Sequence, residues 1–125
     1  MKSVMCIIRI NKMNKTKRAL SKAGISSMTA AGNAFGRGQG LWDAKVMKAA
    51  QEDVPEAIEL LGKEPPLRPH RVLTVTVPDE LVSKVVETVI AANQVSEHGD
   101  GKIFVMPEYE AIRIRTGEHG DEVLD

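Results

Sequence analysis

Aromatic side chains are scarce in this 125-residue chain: two Phe, one Trp and one Tyr, 3% of the sequence. So few rings argue against a stacking platform for single-stranded nucleic acid. Cysteine occurs once, at Cys6, which excludes an internal disulfide and any multi-cysteine metal centre. A reducing, intracellular setting follows as the default, and a cytoplasmic location with it. Neither sign of charge is in excess, with 17 basic and 17 acidic residues, so a general polyanion-binding surface is disfavoured. No apolar run approaches the roughly 20 residues of a membrane span. The opening segment Met1–Lys12 is broken at Arg9 and lacks the long apolar core and cleavage site of a secretory signal. His70, His98 and His119 lack metal-ligand spacing, and no catalytic constellation is evident.

What is present fits one domain with a packed core, since 42% of residues are hydrophobic. Residues 2–10 read as a buried strand, and Cys6 within it as an inert buried thiol. Residues 12–23 read as a basic-faced helix that ends at Gly24, a favoured residue just past a helix C-terminus. The basic run reads as a solvated face before a binding patch. A second strand spans 25–35, weakened by Gly32 and Asn33. About 30 residues follow before the next strand, long enough to suggest a functional loop. Within that insert, Trp42–Gln51 and Pro55–Leu61 have helical character. Residues 70–77 alternate Val72, Thr74 and Thr76 against Leu73, Val75 and Val77, the pattern of a half-buried strand. Pro78-Asp79 then opens a helix to about Asn93, with Asp79 as its N-cap. A polar loop leads to a strand at 102–106, and 111–115 read as a last short strand before a polar tail. The order predicts an α+β ferredoxin-like split βαβ sandwich, a four-stranded antiparallel sheet with two helices on one face.

Three clusters suit anion binding. In Gly36-Arg37-Gly38-Gln39-Gly40 the glycines let backbone N–H groups turn toward an anion, and Arg37 adds a positive fork. A flexible loop entry explains the same residues. In Gly99-Asp100-Gly101-Lys102 two glycines allow a nest of N–H donors, and Lys102 adds a point charge. A plain Asp-Gly turn is the competing reading. In Arg113-Ile114-Arg115, period two puts both guanidiniums on one sheet face, where a phosphate would relieve their repulsion. Two surface arginines paired with acids such as Glu118 are the competing reading. The topology lets the 99–102 loop and the 113–115 strand approach one another.

Gly99-Asp100-Gly101-Lys102-Ile103-Phe104, followed by Ile112-Arg113-Ile114-Arg115-Thr116-Gly117-Glu118, resembles the C-terminal signature of PII signal-transduction proteins. Ile7-Ile8-Arg9, Ala19-Leu20 through Gly24-Ile25, Met28-Thr29 and Phe35-Gly36-Arg37-Gly38 resemble the family's first half, and Val77-Pro78-Asp79-Glu80-Leu81-Val82 its middle. The resemblance covers nearly the whole chain apart from the insert and the tail. It implies a trimer that binds ATP or ADP between subunits, binds 2-oxoglutarate with Mg-ATP, and docks a long T-loop on targets. The T-loop would run from about 37 to 68, and the C-terminal tail from about 116 to 125. By position, Gly99, Asp100, Gly101 and Lys102 would hold phosphates. Arg113 and Arg115 would reach them from the neighbouring subunit. Met28 and Thr29 would sit by the adenine, and Gly36, Arg37 and Gly38 at the phosphate end. Arg37, Gly38, Gln39, His70 and Lys102 would serve 2-oxoglutarate, with Mg held through ATP.

The sequence departs from the family pattern in two places. Gly38 stands where the family usually has a glutamine, with Gln39 one place later, and His70 stands where it has a lysine. The T-loop holds no tyrosine, because the single one is Tyr109, so uridylylation on that loop is excluded. The run Arg9–Lys17, the Gly36-Arg37-Gly38 junction and the long loop resemble the nitrogenase-associated PII-like regulators of methanogens and anaerobic bacteria, the second of their two paralogues. That resemblance implies a non-enzymatic regulator that inhibits the dinitrogenase component when fixed nitrogen is plentiful, working as a homotrimer or a mixed oligomer with its paralogue. A regulator of an ammonium transporter, a small phosphoryl-handling enzyme and a nucleic-acid module are the alternatives.

Overall fold

The computed structural model describes residues 1–36 and 67–124. Strand β1 (Lys2–Ile8) leads through a 3-10 turn (Ile10–Lys12) into helix α1 (Met13–Lys22) and strand β2 (Thr29–Gly36). Strand β3 (Arg68–Val77), a 3-10 turn (Asp79–Leu81), helix α2 (Val82–Asn93) and strand β4 (Gly101–Pro107) follow. The sheet order is β2-β3-β1-β4, and every neighbouring pair is antiparallel. This is the predicted ferredoxin-like arrangement.

Alternation decides which strand face is buried. Val4, Cys6 and Ile8 of β1 lie level with Val75, Leu73 and Arg71 of β3. The apolar members of this row pack with Met13 and Leu20 of α1 and Val85 and Val89 of α2. The opposite row, Ser3, Met5 and Ile7, lies level with Thr76, Thr74 and Val72 and with Met106, Phe104 and Lys102. Phe104 and Met106 on that face are exposed in the single chain.

Helix α1 ends as its sequence predicts. Gly24 takes φ +88°, its N–H donates to Ser21 O at 3.1 Å, and the Ile25 N–H donates to Leu20 O at 2.9 Å. Those two bonds satisfy carbonyls that the helix leaves open, and Ile25 closes over Leu20 in the core. Because Ile25 belongs to this cap, β2 starts at Thr29 and not at residue 25. A register shift between Ala30 and Asn33 marks the bulge that Gly32 permits.

Three expectations are corrected. Strand β1 stops at Ile8, because Arg9 enters a 3-10 turn closed by the Lys12 N–H on Arg9 O at 3.0 Å, and Ile10 is exposed. Asp79 does not cap α2. Its Oδ1 lies 3.1 Å from both the Met1 ammonium and Lys2 Nζ, and the hydrogen bond from the amino terminus is the largest cause of its lowered carboxyl pKa. Residues 111–115 form no strand. The segment is a tight hairpin with one bridge, Ile112 to His119, and Gly117 at φ +73° turns it. The tail folds back on this hairpin through Gly120 N–H on Ala111 O at 3.1 Å and a 3-10 turn at Asp121–Val123. The helical readings of Trp42–Gln51 and Pro55–Leu61 lie outside the described residues.

Candidate functional site

The antiparallel order gathers four segments at one end of the sheet. There β1 ends at Ile8, β4 begins at Gly101, β3 begins at Arg68 and β2 ends at Gly36. The 37–66 insert leaves and returns at this same end.

The loop between α2 and β4 is built from its own carboxylate. Asp100 Oδ2 accepts the Val95 N–H at 3.0 Å and the Glu97 N–H at 3.4 Å. These bonds bracket Ser96, which sits at φ +60°, a conformation that costs a non-glycine residue about 1 kcal/mol or more. Gly99 and Gly101 also take positive φ, +96° and +119°. At Gly101 the loop presses onto β1 so closely that a Cβ would lie 2.2 Å from Ile7 O. Lys102 follows at once, level with Ile7 on the open sheet face and exposed.

Arg9 closes the loop from the other side. Its Nε donates to Gly99 O at 2.9 Å and its Nη2 to His98 O at 3.1 Å. Nη2 also faces Asp100 Oδ1 at 3.3 Å. Burial pushes the Asp100 carboxyl up, but the N–H bonds from Val95 and Glu97 and the Arg9 charge outweigh it, and the pKa ends below the ordinary range. The Asp100 carboxylate is therefore turned into the loop, and what faces outward is backbone and Lys102. A hollow of about 450 Å³ lies behind the loop, between α2 and β4, with Asp100, Gly101 and Lys102 on its rim.

The remaining candidates are spread more widely. Gly36 ends β2 opposite Arg68, and His70 lies opposite Ala34 with Nδ1 3.1 Å from Arg68 O. Met28 packs on the hydrophobic core. Thr29 is exposed at the start of β2, opposite Thr74. Arg37, Gly38 and Gln39 lie outside the described residues. Arg113 pairs with Glu118 at 3.4 Å and also accepts the Gly117 N–H on its carbonyl at 2.8 Å; Arg115 sits in the turn. The hairpin carrying both follows the far end of β4, where the Glu108 N–H meets Met1 O at 3.3 Å. Seven residues of strand, ~20 Å, separate that end from Gly101. The 99–102 loop and the 113–115 hairpin thus adjoin opposite ends of β4. Arg9 went unrecognised as part of the site, because its partners lie some 90 residues away.

Among the described residues no group of three His, Cys, Asp or Glu side chains is placed to hold a metal, and no helix is long and apolar enough to cross a membrane.

The fold is an antiparallel α+β sandwich with a glycine-rich loop and a long insert at one sheet end. Residues 1–118 match the family described as nitrogen regulatory protein P-II, and the chain belongs to that family of signal-transduction regulators. It is 43% identical over 130 residues to nitrogen fixation nifHD region GlnB-like protein 2 of Methanobacterium ivanovii, covering 99% of each chain. It is 37% identical over 126 residues to the protein of the same name in Methanococcus maripaludis, covering 99% of this chain and all of the relative. The nitrogen regulatory protein P-II of Haemophilus influenzae is 35% identical over 125 residues, covering 99% of this chain and all of the relative. Among solved structures, Arabidopsis thaliana PII bound to citrate superposes with a TM-score of 0.70 at 26% identity, covering 97% of this chain and 86% of that one.

Proposed function

We propose that this chain is a cytoplasmic, non-enzymatic nitrogen regulator. It senses ATP or ADP together with 2-oxoglutarate, and inhibits nitrogenase by direct contact with the dinitrogenase component when fixed nitrogen is plentiful. The observation that carries the reading is the shared sheet end. The Gly99–Lys102 loop opens where the insert leaves at Gly36 and returns at Arg68, so an anion on the loop stands at the insert's base.

In this reading the backbone N–H groups around Gly99 and Gly101, with Lys102, take the phosphates. Gly36, Arg37 and Gly38 line the phosphate end, and Thr29 and Met28 flank the base. Arg113 and Arg115 leave from the opposite end of β4, which favours a site completed by a second subunit, in a homotrimer or a mixed oligomer with a paralogue. Magnesium would be held through ATP and would supply positive charge for a bound 2-oxoglutarate. Arg37, Gln39, His70 and Lys102 would hold its carboxylates. A neighbouring PII is described as bound to citrate, which supports carboxylate recognition on this fold. The names of the methanogen relatives support the link to nitrogen fixation.

Titration calorimetry tests the nucleotide site. Arg113→Ala or Arg115→Ala should weaken ATP by about 1.5–3 kcal/mol, the scale of charge-assisted bonds. Unchanged affinity in both variants removes them from the site. Deleting Trp42–Leu61 should leave ATP binding intact and abolish inhibition of dinitrogenase turnover. Retained inhibition places the contact surface elsewhere.

A further inference from the structure

We infer that Arg9 is a positioning residue that sets nucleotide affinity by locking the 95–101 loop to the end of β1 without itself touching the phosphates. The inference rests on the nucleotide reading of that loop.

Arg9 stands at the first position after β1, where the chain turns from strand to 3-10 turn. From there its guanidinium makes three contacts to consecutive residues: His98 O, Gly99 O and the Asp100 carboxylate. The two carbonyls accept hydrogen bonds from Nε and Nη2, and the carboxylate adds a charge contact at 3.3 Å, so this edge of the guanidinium points into the loop. Two carbonyls of the loop are thereby drawn toward Arg9. In a peptide the N–H points roughly opposite its carbonyl. Fixing the His98 and Gly99 carbonyls on Arg9 therefore directs the N–H groups of Gly99 and Asp100 away from it; the Asp100 N–H closes the loop's own turn on Glu97 O at 3.4 Å, so the Gly99 N–H is the donor that this fixing turns outward. An anion-binding loop needs its donors held in one direction.

Sterics complete the lock. A Cβ on Gly101 would strike Ile7 O, whereas one on Gly99 would make only ordinary contact with Arg9 Nη2 at 3.5 Å. The loop thus rests on β1 at both ends of the Ile7–Arg9 segment, by backbone packing at Ile7 and by the guanidinium at Arg9. Asp100 joins the two halves, since one carboxylate oxygen holds Val95 and Glu97 N–H and the other faces Arg9. Lysine at position 9 could meet one of these acceptors but not span them with a rigid fork.

The test uses the full chain and four variants: Arg9→Ala, Arg9→Lys, Asp100→Asn and the Arg9→Ala/Asp100→Asn double. Hydrogen exchange on nucleotide-free protein reads the loop directly. Arg9→Ala should speed exchange across 95–101 while the β1 and β3 amides keep their protection. ATP and ADP affinities should both fall roughly ten- to a hundredfold in Arg9→Ala, by the same factor for the two nucleotides. Arg9→Lys should recover part of the loss. The double variant should lose little more than Asp100→Asn alone, because both residues act through one loop. Unchanged loop exchange, additive losses, or a drop in melting temperature with nucleotide affinity intact would each overturn the inference. If wild-type protein binds ATP and ADP and Arg9→Ala binds them equally well, this inference alone fails. If the wild-type chain binds neither, the nucleotide reading fails and takes this inference with it, while the exchange result still reports whether Arg9 holds the loop.

Discussion

Gly101 is the position where a single methyl group should do the most damage. It combines φ +119° with a backbone neighbour in the way: an added Cβ would meet Ile7 O at 2.2 Å, Ile7 C at 3.2 Å and Ile8 Cα at 3.3 Å. The obstacle is the main chain of a central strand, so no side chain can rotate to relieve it. The conformational part of Gly101→Ala costs about 1–3 kcal/mol. The steric part forces β4 away from β1 at the first rung of their pairing, Ile8 to Gly101, and adds about 1–3 kcal/mol in the manner of an overpacked core. Gly117→Ala is the control. Gly117 also has positive φ, +73°, but nothing lies within 4 Å of its Cβ position, so only about 1–2 kcal/mol of backbone strain applies. With the backbone terms taken as similar, the two variants should differ by the steric part, about 1–3 kcal/mol, in urea unfolding at one fixed protein concentration, since any oligomerisation makes apparent stability concentration-dependent. Equal midpoints would refute the claim that the loop is pressed against β1.

Three further outcomes follow from the described contacts. The Asp79 carboxyl is lowered by its bonds to the Met1 ammonium and Lys2, so its contribution is present above the unfolded-state value of about 3.9 and is lost as pH falls through the lower folded value; the stability gap between wild type and Asp79→Asn should be full at pH 6 and should close on acidification below pH 4, and a gap that stays constant would remove the ion pair as its cause. The Cys6 thiol is pushed up to about 11 by burial, so a thiol reagent at pH 8 should label it only on the timescale of unfolding, and prompt labelling of the native protein would contradict the buried assignment. Asn93 Nδ2 donates to Thr16 Oγ1 and Val89 O, both at 2.9 Å, while its buried Oδ1 has no partner; Thr16→Val should cost about 1–2 kcal/mol, and Thr16→Val combined with Asn93→Leu should cost less than the sum of the single changes, because it removes the stranded polar atoms.

The parts of this protein that were legible in its sequence are those governed by near neighbours. Strict alternation through Val72–Val77 identifies β3 and its buried face, and Gly24 stops α1 because the cap bonds span only residues 20–25. Errors cluster where a distant partner overrides a local habit. Asp79 has the type and place of an N-cap, but Met1 and Lys2, 77 or more residues away, take its carboxylate. Arg113-Ile114-Arg115 is the exception: it has the alternation of a strand, but close neighbours, Gly117 at positive φ and Glu118, fold it into a hairpin. The distance of its partners also hid Arg9. A lone arginine after a strand carries no sign of the two carbonyls and one carboxylate it will meet near residue 99. Glycine spacing marked the loop itself, because Gly99 and Gly101 answer to local backbone need.

The geometry also bounds what a ligand on this loop could do to the insert. A ligand shifts an equilibrium only by its difference in affinity for the two states. Turning a 1:99 balance into 99:1 takes about 5.5 kcal/mol, whereas one charge-assisted bond contributes about 1.5–3 kcal/mol. A switch of that size therefore needs several contacts that exist in only one arrangement of the insert. The Gly99–Lys102 loop is held by β1, Arg9 and Asp100, so under the proposed function it would be a fixed platform that adds affinity but little difference between states. The difference would then have to come from contacts made at the base of the insert, beside Gly36 and Arg68. Under the proposed function, a nucleotide seated on the platform alone would accordingly be a weak switch. A second ligand that bridges the nucleotide and the first residues of the insert is what would make the response steep, and each ligand must then tighten the other by the same factor.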